Sequence, residues 1–157
     1  MDVKTCIKPS FCVIGKQGST QDGDGFIERL WQDANSHYDE VASLAKTDEA
    51  GNPVGFWGAM SDLSQTFQPW EDGFTRGLYL AGVEAEDDAE PPEGWIKWGI
   101  PAYEYLCAKV EAGAQATFPA MLAYMEANGY QLAGAVHDFI CPSEGGQPYM
   151  FFPVRRL

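Results

Sequence analysis

The chain has 157 residues, of which 45% are hydrophobic, and its formal net charge is −13. A chain of this size suits one compact domain or two closely packed halves. A partner rich in phosphate requires a basic face, and the nearest basic run is Arg155-Arg156, so nucleic acid and anionic membranes are poor partners. The acidic charge favours cationic ligands or a basic protein surface instead.

Cysteine and histidine usage gives no sign of a metal site. The four cysteines are Cys6, Cys12, Cys107 and Cys141. They show no CxxC spacing and only two histidines accompany them, so neither a metal nor another cofactor is expected. The sequence shows no signal peptide and no apolar run near the ~20 residues of a membrane span. We expect a soluble cytoplasmic protein with reduced thiols.

The first half predicts one strand, one helix and two further strands in chain order. Residues 11–15 alternate and are rich in β-forming residues, which indicates a strand that ends in glycine turns. Apolar residues recur at helical spacing across residues 26–45, which predicts an amphipathic helix. Residues 56–64 and 78–86 predict two strands separated by a loop.

The second half predicts the same order of elements. Residues 103–112 predict a strand, residues 117–130 a helix, and residues 131–141 and 149–157 two further strands. The acidic, proline-containing segment 84–95 between the halves is typical of a loop. Strand–helix–strand–strand therefore occurs twice in the predicted elements.

A short phrase also occurs twice, as "GAMSD" from Gly58 to Asp62 and as "GAVHD" from Gly134 to Asp138. It falls on the middle predicted strand of each half, which indicates a diverged internal duplication. The predicted fold class is α+β, a single domain of two repeats, about 10–84 and 96–157, related by pseudo-two-fold symmetry. We expect the helices to cover one face of the sheets and a central ligand groove to lie on the other face.

Aromatic residues are numerous, with 5 Trp, 7 Tyr and 9 Phe. Such rings supply large contact areas where ligands bind and can hold cations through their faces. The candidates for a ligand-binding lining are Trp57, Trp70, Trp98, Tyr103, Tyr149 and Phe151. The alternative for any one of these rings is ordinary core packing.

Glu104 is the acid that we predict to carry chemistry. Its same-face neighbours on a strand include Leu106 and Ala108, and a carboxylate among apolar groups is costly to ionise. Such a group can pair with a desolvated cation or act as a base towards water. The alternative is that Glu104 points into solvent at a sheet edge. Tyr105 lies on the opposite face of the strand and can donate a hydrogen bond.

His137 and Asp138 are adjacent in sequence, and adjacent strand residues point to opposite faces. The two side chains are therefore not expected to pair with each other. No Ser–His–Asp arrangement and no GxSxG motif is present, which argues against a serine hydrolase. His137 replaces Ser61 of the first phrase and is a candidate ligand contact.

Several segments together resemble the GyrI-like small-molecule-binding family over about residues 11–157. The most specific pieces are Trp98-x-Ile100-Pro101-x-x-Glu104-Tyr105 and the terminal "YMFFPV", with "FWGAMSD" and "LYLAGVE" in the first half. The resemblance implies a stand-alone domain with the fold of AraC- and MerR-type effector-binding domains. It implies two modules around an aromatic pocket that binds a lipophilic, possibly cationic, small molecule. Many relatives carry an acid on the last strand, and residues 148–153 contain none. Glu104 is therefore the predicted counter-charge.

The same resemblance implies two alternatives. Some stand-alone members resemble hydrolases that open the cyclopropane of DNA-alkylating compounds. In that case Glu104 would position and deprotonate a water, while Tyr105 or Tyr149 would stabilise the developing oxyanion. The namesake of the family binds DNA gyrase, which makes gyrase a candidate protein partner.

Overall fold

The computed structural model describes residues 2–157 and contains one eight-stranded antiparallel sheet with helices on one face. The strands are β1 (Val3–Lys8), β2 (Phe11–Ser19), β3 (Phe56–Ser61), β4 (Leu78–Ala85), β5 (Ile96–Ile100), β6 (Tyr103–Lys109), β7 (His137–Cys141) and β8 (Gln147–Arg156). The longer helices are α1 (Phe26–Ser36) and α2 (Ala114–Ala127). The predicted α+β class is confirmed.

The strand order is β1-β6-β8-β7-β3-β4-β2-β5. From one edge inward the strands are β1, β6, β8 and β7, and from the other edge they are β5, β2, β4 and β3. The two series have the same connectivity, and they meet at the centre, where β3 pairs with β7. The first strand of each half is exchanged, since β1 pairs with β6 and β5 pairs with β2. This order agrees with two like modules, while their origin by duplication and the repeat boundaries stay predictions. Neither β1 nor β5 is among the elements predicted from the sequence.

The sheet is curled until its two edges approach each other. Two residues separate β1 from β2, although β1 is the first strand of the order and β2 is the seventh, next to the other edge strand. Three Cα–Cα steps span at most about 11 Å. In addition, Lys8 on β1 reaches Glu84 on β4 at 3.2 Å, although four strands separate β1 from β4 in the sheet. We call the sheet face that points away from the helices the inner face.

The helices cover the other face of the sheet. α1 packs on β2 and β4 and buries Ala34 against Ile14 and Val83. α2 packs its Met121 and Met125 against an apolar cluster that includes residues of β6 and β8. None of the helices in residues 2–157 is long and apolar enough to cross a membrane.

Three predicted elements are wrong in extent. The predicted strand 11–15 does not end at Gly15 and runs on to Ser19 as β2. The predicted helix 26–45 ends at Ser36, and two short 3-10 turns follow it. Asp39 and Glu40 would place negative charge near the negative end of a longer helix dipole, which disfavours its continuation. The predicted strand 131–141 begins only at His137. The residues before His137 bond to separate segments, since the Ala133 and Ala135 amides donate to the carbonyls of Pro153 and Phe67.

Candidate functional site

A largely apolar cavity of about 270 Å³ lies on the helix-covered face, between α1, α2 and the connection from β3 to β4. The predicted groove lies on the sheet face that the helices leave uncovered, so this cavity is not the predicted groove. Three aromatic side chains contribute to its walls: Trp70, Phe74 and Phe118. Met60, Val136, Asp138 and Met150 line it from the sheet side. The cavity thus combines apolar walls with one carboxyl group.

Asp138 is the acid at this cavity. The alternation of β7 turns it towards the helices, while His137 lies on the inner face, as expected for neighbouring strand residues. The Tyr79 hydroxyl donates to Asp138 Oδ2 at 2.8 Å and accepts from Trp31 Nε1 at 3.1 Å. Burial raises the pKa of Asp138, and the hydrogen bond from Tyr79 acts in the opposite direction. A half-buried carboxylate beside apolar walls lacks the counter-charge that a bound cation can supply.

Tyr79 remains a donor because burial, and then the charge of Asp138, raise its pKa well above the ordinary value. Its hydroxyl reaches Asp138 across Gly58, which lies opposite Asp138 in the register between β3 and β7. A methyl group built on Gly58 would overlap the Tyr79 hydroxyl oxygen. The glycine of the first phrase is therefore required by the close approach of Tyr79.

The two copies of the phrase do not occupy equivalent positions, so their predicted common placement on the middle strands is wrong. Gly58 lies within β3, whereas Gly134 precedes β7. Their aspartates differ as well. Asp62 accepts from the backbone and side chain of Thr66, at 2.7 and 2.6 Å, and fixes the start of the β3–β4 connection. Asp138 lines the cavity.

The β3–β4 connection, residues 62–77, forms a strained wall of the cavity. Four non-glycine residues in it have positive φ: Gln65 (55°), Phe67 (62°), Asp72 (52°) and Phe74 (66°). Each costs of order 1–2 kcal/mol relative to an ordinary conformation. Trp70 is held in place because its Nε1 donates to the Leu78 carbonyl at 2.9 Å. Strain of this kind clusters at ligand sites.

Most of the predicted ligand-binding residues lie on the inner face instead. They are Trp57, Trp98, Tyr103, His137 and Phe151, together with Tyr105. Trp57 is 1% exposed and its Nε1 donates to Glu84 Oε1 at 3.0 Å. Trp98 is equally buried and donates to Gln17 Oε1 at 2.9 Å. Of the predicted ligand-binding residues, Trp70 is the one that lines the cavity.

The buried acid Glu84 lies on the inner face and is neutralised within the chain. The Lys8 ammonium lies 3.2 Å from Glu84 Oε2 and 4.5 Å from the centroid of the Phe11 ring. The carboxylate therefore already has both a cation and an indole donor. His137 is also internally satisfied, since its Nδ1 accepts from the Met60 amide at 3.0 Å. Burial lowers the pKa of His137 to about 3, so the ring is neutral at physiological pH.

The three residues predicted to be catalytic do not come together. Glu104 is half-buried at the sheet margin, and Arg155 Nε donates to its Oε1 at 2.9 Å. Tyr105 is buried on the opposite face of the same strand. The Tyr149 hydroxyl donates to Glu144, which raises the pKa of Tyr149 to about 12. Within residues 2–157, no group of three or more His, Cys, Asp or Glu side chains is placed to hold a metal ion.

Neither Asp138 nor Tyr79 is among the site residues predicted from the sequence. The signal for Asp138 was available, because strand alternation separates it from His137 and places it beside Val136 and Met150 on the helix side. Tyr79 carries no local signal, because its partner Asp138 is 59 residues away in sequence.

No family model and no curated protein matches the sequence. Several solved structures are similar over almost the whole chain. SAV2435, solved with tetraphenylphosphonium, matches with a TM-score of 0.66 and 13% identity, covering 99% of this chain and 94% of that one. The EcmrR C-terminal domain matches with a TM-score of 0.62 and 13% identity, with coverages of 99% and 98%.

A putative bacterial transcription regulation protein from Staphylococcus aureus MU50 matches with a TM-score of 0.63 and 13% identity, with coverages of 99% in both directions. At this level of identity the likeness establishes the fold. The chain therefore has the fold of SAV2435 and of the EcmrR C-terminal domain, as the resemblance to GyrI-like effector-binding domains predicts.

Proposed function

We propose that the protein binds lipophilic aromatic cations in the cavity between α1 and α2, with Asp138 as the counter-charge. The observation that carries this proposal is the half-buried Asp138 carboxyl in a largely apolar cavity. Ionising a carboxyl there without a partner is costly, and a desolvated organic cation offsets that cost. A strongly hydrated metal ion would find few of the oxygen ligands that it needs.

The walls suit an aromatic ligand. Phe74 and Phe118 form an edge-to-face pair with centroids 5.0 Å apart, and Trp70 lies on the same wall as Phe74. Each well-placed ring contributes about 0.5–2 kcal/mol to cation binding. SAV2435, which has the same fold, was solved with tetraphenylphosphonium, a cation of this class. The net charge of −13 also raises the local concentration of cations.

Calorimetric titration with tetraphenylphosphonium tests the proposal through an Asp138→Asn variant. The amide can still accept from Tyr79 but carries no charge, so we expect a loss of about 1.5–3 kcal/mol, or roughly 10- to 150-fold in Kd. Triphenylphosphine oxide, a neutral probe with similar rings, should lose little affinity in the same variant.

The matched control is Glu104→Gln, which removes the acid favoured by sequence but located at the sheet margin. Its affinity for tetraphenylphosphonium should equal that of the unmodified protein. Equal binding by Asp138→Asn, or a parallel loss for both probes, would contradict the counter-charge role. If only Glu104→Gln lost affinity for tetraphenylphosphonium, the counter-charge would be Glu104.

Acidification should weaken cation binding. Burial raises the pKa of Asp138, and its protonated form is neutral, so affinity for tetraphenylphosphonium falls as the pH drops through this raised pKa. By the same linkage, Asp138 favours the folded state when protonated, and this stability is lost as the pH rises through its folded-state pKa. The affinity should be measured at several pH values with both probes. A pH dependence that is the same for the neutral probe, or that persists in Asp138→Asn, would contradict this assignment.

The hydrolase and gyrase hypotheses stay predictions without a specific contact in their favour. Glu104 is paired with Arg155 and is separated from Tyr105 by the sheet. We therefore propose binding as the function.

A further inference from the structure

A pair of cysteines lies on the inner face, where β1 pairs with β6. Cys6 is directly opposite Tyr105, and Cys107 is opposite Lys4. Cys6 and Cys107 are therefore diagonal neighbours across two antiparallel strands, and both belong to one packed cluster with Tyr103 and Tyr105. This Cys6–Cys107 pair is separate from the Asp138 cavity and has no part in the proposed binding function.

The two thiols have different surroundings. Cys6 is partly exposed on the edge strand β1, whereas Cys107 is buried on β6. The interaction between the two neighbouring thiols lowers the pKa of Cys6 and raises that of Cys107. The charge of Lys8 also lowers the pKa of Cys6. A partly exposed thiol that favours the thiolate, beside a buried protonated one, is the arrangement of an attacking and a resolving cysteine.

We propose that Cys6 and Cys107 form a reversible intramolecular disulfide on exposure to a peroxide, with Cys6 reacting first. The Cys6 thiolate attacks one oxygen of hydrogen peroxide, and the O–O bond breaks. The other oxygen departs as hydroxide, and Cys6 becomes a sulfenic acid. The Cys107 sulfur then attacks the Cys6 sulfur, and the S–O bond breaks. The released hydroxide takes the Cys107 proton and leaves as water. The protein loses two electrons and the peroxide gains them.

The backbone geometry is close to what the bond requires. Diagonal residues of an antiparallel pair have Cα atoms about 7–8 Å apart, and a disulfide requires roughly 4.4–6.8 Å. β1 is an edge strand that pairs with β6 alone within the sheet of residues 2–157. The two Cα atoms must approach by about an ångström for the disulfide to form. Movement of the edge strand β1 supplies this approach without moving the centre of the sheet.

The other two cysteines serve as internal controls. Burial raises the pKa of Cys12, and Cys141 lies beside Ser143 and the acidic Glu144. Neither one has a second cysteine opposite it or diagonal to it in the strand register, whereas Cys6 and Cys107 are diagonal neighbours. We therefore expect Cys6 to react with peroxide severalfold faster than Cys12.

The experiment treats a Cys12→Ser/Cys141→Ser double variant with hydrogen peroxide and follows free thiols and intact mass. We expect both remaining thiols to disappear together, with a monomer lighter by two hydrogen atoms and restored by dithiothreitol. Adding Cys107→Ser should stop the reaction at a Cys6 sulfenic acid that dimedone traps. Covalent dimers, or peroxidation of Cys6 to the sulfinic acid with Cys107 left as a thiol, would overturn the proposal.

Lys8 provides a second test in the otherwise unmodified chain. Lys8→Met should slow the reaction of Cys6 severalfold, Lys8→Arg should restore it, and the rate at Cys12 should not change. Circular dichroism checks that each variant is folded. An unchanged rate at Cys6 in a folded Lys8→Met variant would show that Cys6 is not the activated thiol. The same conclusion would follow if, in the unmodified chain, Cys6 reacted no faster than Cys12.

Discussion

Replacing Gly58 with alanine is expected to lower the free energy of unfolding by about 3 kcal/mol or more. The added methyl group would overlap the Tyr79 hydroxyl, and β3 is fixed between β4 and β7 at the centre of the sheet. The Tyr79 side chain must therefore move. When the Tyr79 hydroxyl moves away, the Asp138 carboxyl loses its donor and the Trp31 indole nitrogen loses its acceptor. Each buried polar group left unpaired costs about 1–3 kcal/mol.

Urea unfolding measures this effect, with Gly99→Ala as the matched control. Gly99 lies on the edge strand β5, and a methyl group built there meets no atom within 4 Å in residues 2–157. The control should change the unfolding free energy by less than about 1 kcal/mol. Relative to Tyr79→Ala, the Gly58→Ala/Tyr79→Ala double variant should lose little further stability, because the hydroxyl and the ring carbon that overlap the added methyl group are both absent. Equal stability of Gly58→Ala and Gly99→Ala would show that Tyr79 does not need this space.

Local patterns predict the central part of the fold. The strands that end up in the middle of the sheet are rich in β-forming residues, and α1 has a clear apolar periodicity. The helix α2 is apolar on most sides and is indicated by the glycine that follows it, Gly129. The exchanged edge strands lack such a signal, because β1 is short, carries lysines at both ends of "KTCIK" and leaves Ile7 62% exposed. Its pairing with β6 joins residues about a hundred positions apart. That pairing depends on the curl of the whole sheet, which no local window contains.

The site shows the same limit. Strand alternation separates His137 from Asp138, and the structure agrees with that separation. Alternation alone does not say which face holds a cavity. The curl of the sheet closes the inner face around Trp57 and Trp98, so these rings form core where the aromatic content suggested a lining. On the helix side, the gap between α1 and α2 leaves Asp138 beside an open volume.

Glu84 illustrates how context changes the role of a single acid. Its neighbours in sequence form an acidic loop, and the residue marks the start of that predicted loop. In the structure Glu84 is 4% exposed near the end of β4, paired with Lys8 and Trp57. Lys8 comes from the edge strand β1, separated from β4 by four strands in the sheet order, and Trp57 comes from the adjacent strand β3. The charge balance of the inner face could therefore not be derived from the composition.

Replacing Trp57 with alanine is expected to destabilise the protein by about 3–5 kcal/mol, because it empties a large volume in a closed aromatic cluster. The Trp57 ring centroid lies 4.5 Å from that of Phe139, 4.7 Å from that of Phe11 and 5.0 Å from that of Phe151. Thermal or urea unfolding measures the loss. A destabilisation below about 1 kcal/mol would mean that Trp57 is not core.

Trp57→Phe keeps most of the packing and separates the two roles proposed for this residue. It removes the indole donor to Glu84 and should cost about 1–3 kcal/mol in stability. Because Trp57 lies on the inner face, affinity for tetraphenylphosphonium should stay within about twofold of the original. Trp70→Ala, on the cavity wall, should weaken that binding by about 0.5–2 kcal/mol, the contribution of one ring. If Trp57→Phe instead weakened binding as much as Trp70→Ala, the ligand would occupy the inner face and the proposed cavity would be the wrong site.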